Sequence, residues 1–504
     1  MNRKEQLMNK KLTIINITSS VILQILSIIS GFILPKIILT TFGSEVNGLV
    51  SSLNQFLGYI SLLEGGVTGV ISACLYEPIV KHDQQKLSQV IKTADDFFKK
   101  IAVVFAVYTA ILSVVYPIAV HTGFSFSYVC SLIWVMCIGL FVQYFFSLSM
   151  RVLLNADKKV YTVCLTQAII ISLNTVITVA VSKIYPSIHL LKLCSSCLYL
   201  LQPIIFNRTV KRVFHINKAI KPDQEIIKQR WNGFGINMAA FIHNNTDMIV
   251  LTIFSSLKDV SIYSIYFLVV TGLKNLIISI SGAIAPGIGQ AYARGNQKEL
   301  RDKFTKYEFT ILYITCIAFT VGGLCITPFI LLYTKNIHDA NYNQPLFGWL
   351  IVTAEMLFCI REPYVAIAYA ANRFKDFTKT AYIEAILNII LSVILVIKFG
   401  IIGVAVGTLI SMGYRTILQI GYLHNHILHK RLIELYKNVA GFLVGMIVVV
   451  SISNNLIYIG KLTIFNWIVF AFKNTICSVI VFSLITICLY KLDLKNNLKK
   501  DNRK

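Results

Sequence analysis

A few charged residues stand inside long apolar stretches of this 504-residue chain, where each needs a physical reason. Lys274 lies near the middle of the stretch 260–289, and Glu355, Arg361 and Glu362 lie within 345–371, the last two directly before Pro363. Asp247 follows His243, Asn244 and Asn245; Glu64 precedes Gly65 and Gly66; Lys36 follows Pro35. A charge deep in hydrocarbon costs a few kcal/mol on insertion scales, so such residues face a cavity, a partner or a pathway. Lysine offers phosphate a point charge and arginine grips two phosphate oxygens at once. Lys274 and Arg361 are therefore candidate phosphate-binding cations in a cavity, with Lys36 a third that could equally snorkel to the interface. Glu362 can neutralise Arg361 in an empty site, and Glu355, seven residues earlier, shares its helix face. Asp247 among amides is the candidate for taking up a coupling Na⁺ or H⁺, and Glu64 beside a helix breaker is a candidate for charge pairing. Each has a structural alternative: a buried ion pair for Lys274, an Arg–Glu pair at a proline kink for Arg361, hydrogen bonding between lobes for Asp247. His243 reads as a packed histidine. Arg415, Glu384 and Lys473 lie nearer span ends or outside the repeat described below, where snorkelling is the default.

The elements that carry these residues follow from composition. The chain is 56% hydrophobic and 14% charged, with a mean hydropathy of +0.69, whereas soluble proteins carry roughly 25% charged residues. One soluble core cannot take up that much apolar surface. Apolar runs long enough for a ~30 Å hydrocarbon layer occur near 13–39, 46–75, 101–121, 124–150, 160–182, 186–206, 232–255, 260–289, 308–333, 345–371, 380–397, 401–423, 438–459 and 463–489. The expected fold class is all-α: a polytopic integral membrane protein of about fourteen transmembrane helices. The first stretch is too long for a signal-peptide core and no cleavage site follows it.

The net charge of +24 looks at first like a nucleic-acid footprint. Sorting the cations removes that reading. Thirty-six of the 47 Lys and Arg fall in the N-terminus, the even-numbered connections and the C-terminal tail. Such one-sided placement is the positive-inside rule, and it predicts both termini on the cytoplasmic side. Eleven scattered cysteines include one C-x-x-C pair, Cys194 and Cys197, without the partners that zinc or redox chemistry needs. The pattern G-x-x-x-x-G-K-[ST] is absent, so nucleotide hydrolysis by that route is not expected. No cofactor is expected beyond a possible coupling Na⁺ or H⁺.

The two halves repeat at an offset near 213 residues. Leu39-Thr40-Thr41-Phe42-Gly43-Ser44 matches Leu251-Thr252-Ile253-Phe254-Ser255-Ser256, Gly69 meets Gly282, and 81–87 meets 294–300. Asn155 before Lys158 resembles Asn372 before Lys375, and Asn174 resembles Asn388. The expected organisation is a six-helix lobe over 1–215, a second over 216–430, and two extra helices with a basic tail over 431–504. Repeats of even span number, related by an axis along the membrane normal, suit transporters that rock one bundle against the other.

Phe42-Gly43-Ser44-Glu45-Val46-Asn47-Gly48-Leu49, then Leu62-Leu63-Glu64-Gly65-Gly66, resembles the first hairpin of bacterial polysaccharide transporters. Asn244-Asn245-Thr246-Asp247 and the pieces 383–388 and 400–408 extend that likeness. Together they resemble the O-antigen, capsule and teichoic-acid repeat-unit flippases of the multidrug/oligosaccharidyl-lipid/polysaccharide exporter superfamily. The resemblance implies two lobes around a cavity that opens to alternate sides. It implies no enzyme, but carriage of undecaprenyl-pyrophosphate-linked oligosaccharide across the bacterial cytoplasmic membrane, for surface polysaccharide synthesis. The implied partners are that lipid-linked substrate, the lipid bilayer, and the polymerase and glycosyltransferases of the same pathway; nucleic acid is not among them. It also implies that the two extra helices guide the lipid tail. An ion-coupled multidrug exporter of the same superfamily is the alternative; it would need a carboxylate-rich pocket and usually only twelve spans. A membrane enzyme is disfavoured by the short connections, and a scaffold by buried charge beside helix breakers.

Overall fold

The computed structural model describes residues 3–64, 67–120, 122–217, 219–223, 241, 245–429 and 432–501. Among them every regular element is a helix. Ten helices are long and apolar enough to cross a membrane, and Pro345–Ala370 has the length as well but carries Glu355, Arg361 and Glu362. Large apolar side chains such as Val107, Ile111, Val115, Val176, Ile397 and Ile447 stand exposed along these helices. So much outward apolar surface fits a lipid environment and not water. The chain is a multi-pass membrane protein of all-α class.

Two pairs of expected spans are joined with almost no connection. Arg3–Gly58 runs continuously except at Gly43, with φ 84° and ψ 176°. Thr378–Leu423 breaks at Gly400, with φ 54° and ψ −133°. Both conformations lie where a Cβ is unfavourable, so glycine lets one residue redirect each helix.

One long polar connection is itself helical. The polar stretch 76–100 is helical apart from His82 and Asp83, because Gln84–Ala119 begins well before its apolar part. At 1.5 Å per residue its 36 residues extend about 54 Å, so the lysine-bearing turns stand beyond the hydrocarbon. Asp83 caps it, accepting from Gln85 N at 3.1 Å and Lys86 N at 2.9 Å. The same start recurs at the 37-residue helix Gln297–Tyr333, where Asn296 accepts from Lys298 N at 3.1 Å and Glu299 N at 3.2 Å. The residue before each cap, His82 (φ 55°) and Gly295 (φ 71°), is left-handed. Asp83→Ala and Asn296→Ala should each cost about 1 kcal/mol, read as a lower unfolding midpoint of the protein in nanodiscs; unchanged midpoints would show that the caps contribute nothing.

The chain divides into two compact units, Met1–Ser261 and Ile262–Lys504. In the first, helix Val160–Ile184 lies along the N-terminal helix, with Ser30 Oγ 2.8 Å from Thr175 Oγ1 and Asn16 Nδ2 donating to Lys158 O at 2.8 Å. The described part of the seventh span, 245–254, belongs to this unit: Thr252 Oγ1 donates to Ser52 Oγ at 2.9 Å, and Gln55 bonds Asn245. In the second unit the final helices, Ile433–Leu456 and Ile464–Asp501, pack on helix 297–333. Phe442 meets Phe309, Tyr313 and Phe482, and Trp467 Nε1 donates to Cys325 O at 3.0 Å.

Candidate functional site

The second unit gathers most of the intramembrane charge. Helix Leu257–Ala293 supplies Lys274, and helix 345–370 supplies Glu355, Phe358, Arg361 and Glu362. Glu384 and Arg415 lie on the two arms of helix 378–423. On helix 345–370 the spacing 355, 358, 361 places successive side chains one turn apart, so a carboxylate, a ring and a guanidinium stack along one side. Lys274 Nζ lies 3.0 Å from Glu355 Oε2 and 4.4 Å from the centre of the Phe358 ring. The Arg361 guanidinium carbon lies 5.1 Å from the same ring, so Phe358 supports both cations through cation–π attraction. Arg361 Nη1 is 3.4 Å from Glu384 Oε1, and Arg415 Nη1 donates to the other Glu384 oxygen.

Burial decides how much these pairs matter. Arg361 is 2% exposed and Glu384 0%, so their attraction is poorly screened and removing one partner leaves a charge stranded. Two guanidinium groups share the Glu384 carboxylate, and Glu362 acts on Arg361 electrostatically as well. Arg361 Nε and Arg415 Nε are both buried without a hydrogen-bond partner among the described residues. Unused guanidinium donors can receive an anionic oxygen.

Helix packing explains why Glu384 meets Arg415. A Cβ on Gly403 would overlap the Leu395 carbonyl, and one on Gly407 would lie 2.7 Å from Ser392 Oγ. The arms on either side of Gly400 thus touch backbone to backbone, and Asn388 Nδ2 donates to Thr408 Oγ1 at 3.0 Å across them. Glu384 precedes Gly400 by sixteen residues and Arg415 follows it by fifteen, so a hairpin folded there brings the two level. That symmetry about a glycine was a signal available in the sequence. It corrects the expectation that Glu384 and Arg415 snorkel; Arg361 ion-pairs with Glu384, while Glu362 acts on it electrostatically. Glu362 is half-buried and interacts electrostatically with Arg361 and Lys274. Lys274 takes the structural partner foreseen for it, a buried carboxylate, which is Glu355.

The remaining candidates lie in the first unit. Asp247 is buried, in the helix 245–254; His243 and Asn244 lie outside the described residues. Glu64 is half-buried and accepts from the hydroxyls of Thr68 and of Tyr144, the latter at 3.4 Å. Lys36 is exposed beside Pro35, which sits inside the helix. Lys274, Arg361 and Glu355 thus share one cluster with Glu362 at its margin, while Asp247, Glu64 and Lys36 belong to the other unit. No group of three or more His, Cys, Asp or Glu placed to hold a metal ion occurs among the described residues.

The second unit also holds an apolar cleft of about 430 Å³, lined among others by Leu273, Leu276, Ile317, Val321, Phe329 and Trp467. At 100° per residue Leu273 and Leu276 lie on one face of helix 257–293, and Lys274 lies well round from it. The cleft and the ion-pair cluster therefore use different faces of one helix.

No family model matches the chain and no curated protein matches it. Solved structures do. The lipid II flippase MurJ in an inward closed conformation superposes with a TM-score of 0.74 at 16% identity, covering 95% of this chain and 99% of that one. An inward-facing multidrug-resistance MATE family transporter of the MOP superfamily gives 0.63 at 14% identity, covering 79% and 93%. The MATE multidrug transporter DinF-BH gives 0.59 at 15%, covering 84% and 97%. The chain therefore has the fold shared by a lipid II flippase and by multidrug exporters of the MOP superfamily.

Proposed function

We propose that the protein is a flippase for undecaprenyl-pyrophosphate-linked oligosaccharide repeat units, working by alternating access in the bacterial cytoplasmic membrane with both termini cytoplasmic. Two six-span lobes, 1–215 and 216–430, open in turn to either side, and 431–504 supplies the tail-guiding helices. Lys274, Arg361 and Lys36 meet the pyrophosphate; Glu355 and Glu362 balance them; Asp247 and Glu64 serve the coupling Na⁺ or H⁺. The product feeds the polymerase and glycosyltransferases of surface polysaccharide synthesis.

The observation that carries this reading is the apolar cleft against the final helix, on the face of helix 257–293 turned away from Lys274. A volume near 430 Å³ is in the range of ligand pockets. A substrate with an anionic head and a hydrocarbon tail can use both faces of the helix. Coverage of the chain points the same way. MurJ accounts for 95% of it and the two MATE transporters for 79% and 84%.

The test places the purified protein in proteoliposomes with a fluorescent undecaprenyl-pyrophosphate-linked saccharide in one leaflet. Transfer to the other leaflet, accelerated at least tenfold over empty vesicles, is expected (on the order of 1.4 kcal/mol of barrier). In cells lacking the gene, labelled repeat units should accumulate in the inner leaflet. No transfer, together with efflux of a soluble cationic dye by the same vesicles, would instead establish the multidrug exporter.

A further inference from the structure

An aromatic ring stands against both cations on which the substrate reading depends. Phe358 is half-buried on helix 345–370, one turn after Glu355 and one turn before Arg361. Its ring centre lies 4.4 Å from Lys274 Nζ and 5.1 Å from the Arg361 guanidinium carbon. Lys274 reaches it from helix 257–293, whereas Arg361 shares its helix. Both cations are buried. Each also has a carboxylate, Glu355 Oε2 at 3.0 Å from Lys274 and Glu384 Oε1 at 3.4 Å from Arg361. Glu362 acts on both electrostatically.

These partners respond differently to an anion. A phosphate oxygen arriving at Lys274 or Arg361 competes with a carboxylate, since the two carry the same sign of charge and seek the same donors. A ring is neutral. It attracts a cation through the negative face of its π-system and sets no net charge against an anion. When an anionic ligand draws either cation from its carboxylate, Phe358 is the partner that stays, and it keeps both cations beside one point. Two like charges this deep repel each other strongly. Without the ring, the ammonium and the guanidinium would settle toward Glu355 and Glu384, which stand on different helices. Arg361 Nε, without a hydrogen-bond partner among the described residues, adds a donor that an anion can use with no carboxylate displaced.

Two cationic centres against one ring suit a ligand with two adjacent anionic centres. A diphosphate has them, one on each phosphoryl group, and a monophosphate has a single one. We propose that Phe358 is a positioning residue that holds Lys274 and Arg361 together as a two-cation receptor for a diphosphate, and so selects a diphosphate over a monophosphate. The proposal rests on the reading of this cluster as the pyrophosphate site.

The test weakens the ring while nearly keeping its shape. Full-length protein in nanodiscs carries at position 358 either phenylalanine or its mono-, di- and trifluorinated forms, introduced by stop-codon suppression. Each fluorine draws electron density from the ring face and loosens its hold on a cation. The probes are farnesyl diphosphate and farnesyl monophosphate, and equilibrium binding is measured for each. Wild type should bind the diphosphate more tightly. That affinity should fall stepwise, on the order of tenfold at three fluorines, while monophosphate affinity changes by less than about threefold. Phe358→Trp, which has the stronger π-face, should keep the preference. Phe358→Leu, apolar but without a π-face, should lose it. A flat fluorine series would overturn the proposal and leave the pyrophosphate reading standing. Equal losses for the two lipids would do the same. A wild type that does not bind the diphosphate, or diphosphate binding unchanged by Lys274→Gln, would overturn both.

Discussion

Replacing Arg361, Glu384 and Arg415 together by Met, Leu and Met is expected to preserve the fold and abolish transport. Glu384→Ala alone is expected to do far more damage to stability, about 3–5 kcal/mol. The contrast follows from burial. Glu384 is fully buried and engages both arginines. Truncating it leaves two guanidinium groups in an interior with no shared counter-charge, whereas removing all three takes away both signs together and leaves Glu362 facing Lys274. Hydrophobic replacement of a complete buried triad is commonly neutral or stabilising by roughly 1–4 kcal/mol. Thermal unfolding in nanodiscs reads the stability of each variant, and leaflet transfer of the labelled saccharide reads function. A triple variant that transports at the wild-type rate would show that the cluster only packs helices, and would remove Arg361 from the substrate site.

Gly48→Ala is expected to prevent the first unit from folding. A methyl group there would overlap the carbonyl oxygen and carbon of Leu257. The obstacle is backbone, which no rotamer change relieves, so the helices must separate. Nearby Asn47 Nδ2 donates to Ser261 Oγ at 2.8 Å in a buried contact that requires the same closeness. The cost should exceed about 4 kcal/mol, the range reserved for overpacking and lost buried contacts. Gly69→Ala makes the matched control, since a Cβ at Gly69 meets nothing within 4 Å; it should be neutral or stabilising by up to ~1 kcal/mol. Expression of monodisperse protein and its unfolding midpoint check both. A Gly48→Ala protein as stable as Gly69→Ala would mean that the helices do not approach this closely.

Hydropathy located apolar segments that are helical where they are described, because crossing hydrocarbon demands about 20 apolar residues in a row, a purely local property. Every expected span lies mostly on helix wherever it is described, although 232–255 is described only at 241 and from 245 onward. Where helices begin was less legible. Polar turns such as 84–100 and 297–307 continue the same helices beyond their apolar parts, since a capped helix is limited by its termini and not by the membrane.

The candidate site was legible by residue type and not by partnership. Depth in an apolar run singled out Lys274, Arg361 and Glu355, and all three proved to be buried in ion pairs. Glu384 and Arg415 were left at span ends, because distance along the chain from a span's middle says little about depth once helices overrun the membrane.

Sequence alone determined that this protein is helical and membrane-spanning, and where its apolar segments lie. These rest on the composition of single segments, and each segment must satisfy the bilayer by itself. Tertiary structure alone decided that two arginines share Glu384, that Lys274 meets Glu355 across two helices, and that Phe358 lies against both Lys274 and Arg361. Those pairings depend on helix rotation and on hairpins folded at single residues such as Gly400. A shift of one residue in either turns a side chain by about 100° and replaces its neighbours.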